Sequence, residues 1–167
     1  MDSDFETKTP VVVKQAKMTI MAHQKCINIA KFSPNDKLIA SGSQDKIVKI
    51  WQAKDLKQVM ELKGHLKGVW DLEFSPAEKQ IVTVSGDKLI KVWNISGDKG
   101  ECIATLQGHA DQLVKIKWLN QGLQLASASV DGVVKLWNLK KQQCVNTFEM
   151  HTDRIWAMDL HEEVTKL

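Results

Sequence analysis

The chain of 167 residues has no tyrosine, three prolines and three cysteines, and its 23 Lys and Arg against 20 Asp and Glu leave a formal charge of only +3. Each scarcity excludes something. Cys26, Cys102 and Cys144 lack paired spacing, and an odd count does not make a disulfide framework; free thiols in a reducing compartment are expected. The mild charge, with both signs interspersed, does not argue for nucleic acid by itself. No apolar run approaches the roughly 20 residues of a membrane-spanning helix. The start, MDSDFETKTP, is acidic and polar where a secretory signal is basic and then apolar. Asn94-Ile95-Ser96 spells a glycosylation acceptor that this expected intracellular setting would leave unused. Hydrophobic residues at 43% and charged residues at 26% are an ordinary globular balance, and the length allows one domain or a piece of a larger one.

What is present is repetition. His23, His65, His109 and His151 follow one another at 42, 44 and 42 residues. Asp45, Asp87 and Asp131 lie 22 residues after the first three His, and Trp51, Trp93 and Trp137 lie 28 after them. A serine stands two residues before each Asp: Ser43, Ser85 and Ser129. After each His, the positions four, seven and nine residues on are apolar, as in Val69, Leu72 and Phe74. A step of three followed by a step of two predicts a strand with a bulge. Ser33-Pro34-Asn35-Asp36 and Ser75-Pro76-Ala77-Glu78 read as turns. Alternating segments follow, such as Val48-Lys49-Ile50-Trp51, with a more polar strand before the next His, such as Ile103-Ala104-Thr105-Leu106. Four short strands per unit make one antiparallel sheet.

This period, with Gly64-His65, Gly108-His109 and the closing Trp51-Gln52, Trp93-Asn94 and Trp137-Asn138, resembles the blade of a WD-repeat β-propeller. The expected fold is all-β: a partial propeller of three full four-stranded blades, with single strands at both ends. Residues 23–62, 65–106 and 109–148 would be the blades and 151–160 the start of a fourth, all within a unit of 16–160. Residues 16–21 match the outer strand of a preceding blade. Residues 1–15 and 161–167 are expected to be tails. Propellers have typically four to eight blades, so the chain reads as an arc of a ring, a piece of a longer protein or one that self-associates to complete the ring. Its open end faces would be apolar.

The resemblance implies a hydrogen-bonded tetrad in each blade: His23, Ser43, Asp45 and Trp51; His65, Ser85, Asp87 and Trp93; His109, Ser129, Asp131 and Trp137. Ser, His and Asp together also suit a hydrolase. Three copies and the absence of a Gly-x-Ser-x-Gly elbow turn the reading toward structure. One His per blade, with no second ligand nearby in sequence, gives no metal set, and no glycine-rich phosphate loop occurs; no cofactor is expected.

Five residues after each His stand Asn28, Trp70, Val114 and Trp156, within the bulge and near one rim. Lys25, Lys67 and Arg154 stand nearby, and in the family the residues before the turn Asp, here Gln44, Gly86 and Val130, face the same rim. This set could receive an acidic partner or RNA, or could be packing and solvated surface. Longer stretches, including His65-Leu66-Lys67-Gly68-Val69-Trp70-Asp71-Leu72 and His151-Thr152-Asp153-Arg154-Ile155-Trp156-Ala157, are similar to the second propeller of the transducin-beta-like WD-repeat subunits of the small-subunit processome. That resemblance implies a non-catalytic scaffold in the nucleolus, acting in pre-ribosomal RNA processing among other WD-repeat proteins, with weak or indirect RNA contact and no membrane. A substrate receptor of a cullin-type ubiquitin ligase is the alternative, and Trp51-Gln52-Ala53-Lys54 and its counterparts lack the arginine such receptors often carry.

Overall fold

The computed structural model describes residues 17–159, with strands in three antiparallel four-stranded sheets. Blade 1 holds β1 (Ile27–Phe32), β2 (Leu38–Ser43), β3 (Ile47–Gln52) and β4 (Gln58–Lys63). Blade 2 holds β5 (Val69–Phe74), β6 (Gln80–Ser85), β7 (Leu89–Asn94) and β8 (Glu101–Gln107). Blade 3 holds β9 (Leu113–Leu119), β10 (Gln124–Ser129), β11 (Val134–Asn138) and β12 (Gln143–Phe148). In each sheet the strands pair in chain order, so every connection is a hairpin and the contacts within a blade are local.

The step of three then two marks a bulge. The β1–β2 ladder slips between Ile27 and Ile29, and the β5–β6 ladder slips between Val69 and Asp71, which leaves Asn28 and Trp70 as the extra residues. The β9–β10 ladder shows the same irregularity between Ala128, opposite Lys115, and Ser129, opposite Leu113, which leaves Val114 as the extra residue. An extra residue re-aims the side chains that follow, so a strand apolar at uneven steps still turns one face to the core. The turn after each aspartate needs a left-handed residue, supplied by Lys46, Lys88 and Gly132 at φ of 74°, 71° and 82°.

Two cores lie between the blades. Ala40, Val48, Ile50 and Leu62 of blade 1 meet Val69, Leu72, Phe74 and Ile81 of blade 2. Val82, Ile90, Val92 and Leu106 of blade 2 meet Leu113, Ile116, Trp118 and Leu125 of blade 3. Blade 2 is therefore apolar on both faces, and each core is completed by residues from two blades. Burial of some ten apolar side chains per core is the main stabilising term, at roughly 1.5–3 kcal/mol each before entropy is charged against it.

Among the described residues, the single strands expected at the two ends do not form: residues 18–23 and 154–159 have no regular secondary structure. A strand is held by ladder partners as well as by its own apolar spacing. The tails expected at 1–15 and 161–167, with residues 16 and 160, lie outside the described residues. Cys26, Cys102 and Cys144 are free and exposed.

Candidate functional site

The polar chain inside each blade begins at the tryptophan. Trp51 Nε1 donates to Ser41 Oγ at 2.9 Å, Ser41 Oγ lies 2.8 Å from His23 Nε2, and His23 Nδ1 lies 2.9 Å from Asp45 Oδ2. In blade 2 the same path runs from Trp93 Nε1 to Thr83 Oγ1 at 2.9 Å, to His65 Nε2 at 2.7 Å, and from His65 Nδ1 to Asp87 at 2.8 Å. An indole can only donate, so the hydroxyl receives its N–H and passes its own proton to Nε2; Nδ1–H then donates to the carboxylate. The two ends set the directions: the indole can only donate, and the carboxylate can only accept.

The hydroxyl is not the one expected. Ser41, Thr83 and Ser127 complete the chains, two residues before Ser43, Ser85 and Ser129. In a strand both positions of such a pair face the same side of the sheet, so the sequence pattern does not separate them. What separates them is the cross-strand partner. Ser41 pairs with Lys49 and Thr83 with Lys91 in the ladders, two positions from Trp51 and Trp93, within reach of the indole across the sheet. Ser43 and Ser85 instead cap the turn: Asp45 N donates to Ser43 Oγ at 3.0 Å and Asp87 N to Ser85 Oγ at 3.1 Å. Each aspartate also takes backbone N–H groups, Asp87 those of Leu66 and Leu89, at 2.9 and 3.1 Å.

These contacts set the acidity of the carboxyls. Burial pushes Asp87 up, but the bonds from His65, Leu66 and Leu89 outweigh it and hold the group at about 2 against an ordinary 3.8. Asp45 is lowered the same way: burial raises it, and His23, Ile47 and Gln24 more than compensate.

Blade 3 departs from this. Trp137 Nε1 donates to Ser127 Oγ at 2.8 Å, and Ser127 Oγ lies 2.7 Å from His109 Nε2. Asp131, however, accepts from Ser129 Oγ and from Val133 N, and buried His109 Nδ1 has no hydrogen-bond partner among the described residues. Asp131 is therefore not part of a closed tetrad. Burial drives His109 down to about 4, helped by Lys135 and opposed by Asp131.

The Gly-His pair has a steric reason. At Gly64 and Gly108, with φ of +156° and +151°, a Cβ would stand 3.1 Å from Trp93 Cη2 and 3.3 Å from Trp137 Cη2. The tryptophan ring lies against the glycine backbone, so a side chain there would be strained at this φ and would push the ring by a few tenths of an ångström.

The rim of bulges and aspartate turns is uneven. Lys25, Lys67 and Arg154 are exposed. Trp156 is 74% exposed, with the Arg154 guanidinium 4.9 Å from its ring centroid. Trp70 is half-buried, with its indole nitrogen over Gly86 and Gln112 of blade 3 beside it. Asn28 is not a free recognition group, since its Nδ2 donates to Val69 O of blade 2 at 2.7 Å. The Gln44 amide is pressed against Gly68. Val130 is half-buried, and its N–H donates to Gln112 O. The bulge residues of blades 1 and 2 thus turn toward the next blade, whereas Trp156, which follows blade 3, is open.

Sequence reasoning did not find the charges on the inner strands. Asp71, although 1% exposed, accepts Ile116 N at 3.2 Å and lies 3.4 Å from Lys31 Nζ. Glu73 accepts Trp118 N at 2.8 Å and lies 3.7 Å from Lys31 and 3.5 Å from Lys117. One blade's carboxylates thereby join all three blades. The signal was available as a period: the eighth residue after each His is Lys31, Glu73, Lys117 and Asp159, alternating in sign.

The WD domain, G-beta repeat family matches residues 14–52, 56–94 and 100–138, more than half of the chain. Transducin beta-like protein 3 of Mus musculus is 42% identical over 57 residues, which is 34% of this chain and 7% of that protein. U3 small nucleolar RNA-associated protein 13 of Saccharomyces cerevisiae is 37% identical over 57 residues, again 34% of this chain and 7% of the relative. A chromatin assembly factor 1 subunit of Gallus gallus is 25% identical over 129 residues, covering 77% of this chain and 19% of that protein. The chain thus spans less than a fifth of the length of these relatives. With three matched repeats folded as three four-stranded blades, the chain belongs to the WD-repeat family.

Proposed function

We propose that this chain is a non-catalytic docking scaffold in the nucleus, a WD-repeat component of the nucleolar machinery that processes pre-ribosomal RNA. The observation that carries the scaffold reading is where the polar groups lie. In every blade the hydroxyl that a hydrolase would use is held between an indole and an imidazole inside the sheet, one set per blade. What is left for other molecules is the rim: the open Trp156–Arg154 pair, the edge of Trp70, and the ammonium groups of Lys25 and Lys67. Aromatic and arginine side chains together are the composition of interaction hot spots. The pre-ribosomal assignment is supported by likeness to transducin beta-like protein 3 and to a yeast protein associated, by its name, with U3 small nucleolar RNA. The expected partners are other protein subunits of that particle, with RNA contacted weakly or through them.

The test is affinity capture with the tagged chain from nuclear extract, reading U3 small nucleolar RNA and pre-ribosomal RNA in the eluate. Recovery with the native rim, falling about tenfold or more in the Trp70→Ala/Arg154→Ala double variant at unchanged melting temperature, is the expected result. Absence of both RNAs would discard the pre-ribosomal reading. Recovery unaltered by the double variant would discard the rim.

A further inference from the structure

The two seams between blades are both internal to the chain and can be compared position by position. Leu38, Met60 and Ile95 are half-buried against the core between blades 1 and 2. At the equivalent places between blades 2 and 3, 42 or 44 residues on, stand Gln80, Ala104 and Leu139. The first seam thus carries two large apolar side chains where the second has an amide and a methyl group. The second core closes without them, so the fold alone does not require them. What they floor is a groove. A cavity of about 410 Å³ lies between the turns at 33–35 and 75–79, and another of about 520 Å³ runs on between β4 and residues 95–98. Both are lined by Leu38 and Ile95. The hairpin order puts this groove at the end of the blades opposite the aspartate turns, away from the rim.

The walls are fixed before anything enters. Leu38 N donates to Ser33 Oγ at 3.0 Å, Glu78 N to Ser75 Oγ at 3.2 Å, and Ile95 N to Lys79 O at 2.9 Å. A groove already ordered costs little entropy to fill. One wall is β4, the outermost strand of its sheet, whose N–H and C=O groups directed away from β3 suit an added extended chain. Charge along the groove is positive in excess. Lys57 and Lys79 line it and Lys99 stands at its end, all exposed and, among the described residues, in no ion pair. Of the carboxylates, Glu61 is held by Lys63 and Lys49 at 2.6 and 3.7 Å, and Glu78 accepts the Gln80 amide, which leaves Asp98.

We propose that the seam between blades 1 and 2 is a docking site, separate from the rim, for an extended acidic peptide of a partner protein. The peptide adds to the edge of β4. Two of its apolar side chains, at alternate positions and so on one face, rest on Leu38, Met60 and Ile95. Its carboxylates meet Lys57 and Lys79. The site does not depend on the rim and stands or falls separately from it.

Fluorescence polarisation of the 167-residue chain with a labelled nonapeptide, two leucines at alternate positions among glutamates, tests this. The expected result is saturable binding that weakens with salt and falls about tenfold or more when serines replace the leucines. Leu38→Gln/Met60→Ala gives this seam the letters of the other and should weaken binding about tenfold or more. Val59→Glu, at a position on β4 already 39% exposed, should do the same at unchanged melting temperature, which separates lost contact from lost fold. No saturable binding overturns the proposal. So does binding that survives Val59→Glu, or that is equal for the serine peptide, since charge alone would then account for it. A loss confined to the Trp70→Ala/Arg154→Ala variant would put the peptide on the rim and overturn the seam.

Discussion

Blades 2 and 3 share a pattern, a register and a polar triad, yet they differ in how completely they are built. Blade 2 lies between two neighbours, its Leu106 buried and its His65 joined to Asp87. Among the described residues, blade 3 packs its core against blade 2 alone. Its outer strand β12 is exposed throughout, and its Asp131 has left His109 for Ser129. Equivalent letters therefore do different work. A repeat sequence specifies the sheet, and the neighbouring sheet completes the burial that gives each side chain its energy.

The largest effect that tests this comparison is in the core. Leu106→Ala opens a cavity between blades 2 and 3 and should cost about 2–5 kcal/mol. Phe148→Ala, at the equivalent position on the open face, should cost about 1 kcal/mol, because less of the ring is taken out of water. Paired urea melts of the two variants supply the numbers. Equal losses would mean that the outer face of blade 3 is covered in solution.

Acid should separate the blades next. His109 is held neutral, with its proton affinity lowered from 6.5 to about 4, chiefly by burial and then by Lys135. Its pKa is lower folded than unfolded, so below 6.5 the unfolded chain gains the proton first. Stability is complete above pH 6.5 and is lost as pH falls from there to about 4, by about 3 kcal/mol if the fold persists. His109→Gln should flatten stability against pH in that window while lowering it at neutral pH. A native chain whose stability is level between pH 7 and 4 would show that Asp131 swings back to His109 in solution.

How far the sequence spoke for itself follows a physical line. Spacing of apolar residues locates strands, and the uneven step in Val69, Leu72 and Phe74 even locates a bulge, because burial repeats with the backbone. The choice between Ser41 and Ser43 was not legible. Both are small hydroxyls on one strand face, and only the position of the Trp51 indole across the sheet decides between them. The rim was half legible. Lys67 and Arg154 are exposed as charge alone suggests, whereas the tilt of Trp70 over Gly86 depends on blade 3 standing beside it. The ends differ for a related reason: residues 18–21 and 155–159 have strand-like letters, but a strand also needs a ladder partner, and apolar spacing carries no information about one.

The smallest effect is the sharpest comparison, because it changes one atom type at two equivalent positions. In Asp87→Asn the histidine loses its anionic acceptor, and two backbone N–H groups lose charge assistance. The Asp87 carboxyl sits at about 2 folded against 3.8 ordinarily, so its charged form stabilises the fold by about 2 kcal/mol at neutral pH. A depressed carboxyl pKa places that contribution above pH 3.8 and removes it as pH falls toward 2, below the window in which His109 acts. Asp131→Asn removes no histidine bond, and its loss should stay within about 0.5 kcal/mol. Thermal melts at pH 7 should therefore separate the two variants by roughly 1.5–2 kcal/mol. Should Asp131→Asn cost as much as Asp87→Asn, the third tetrad is closed in solution and the contrast between the blades disappears.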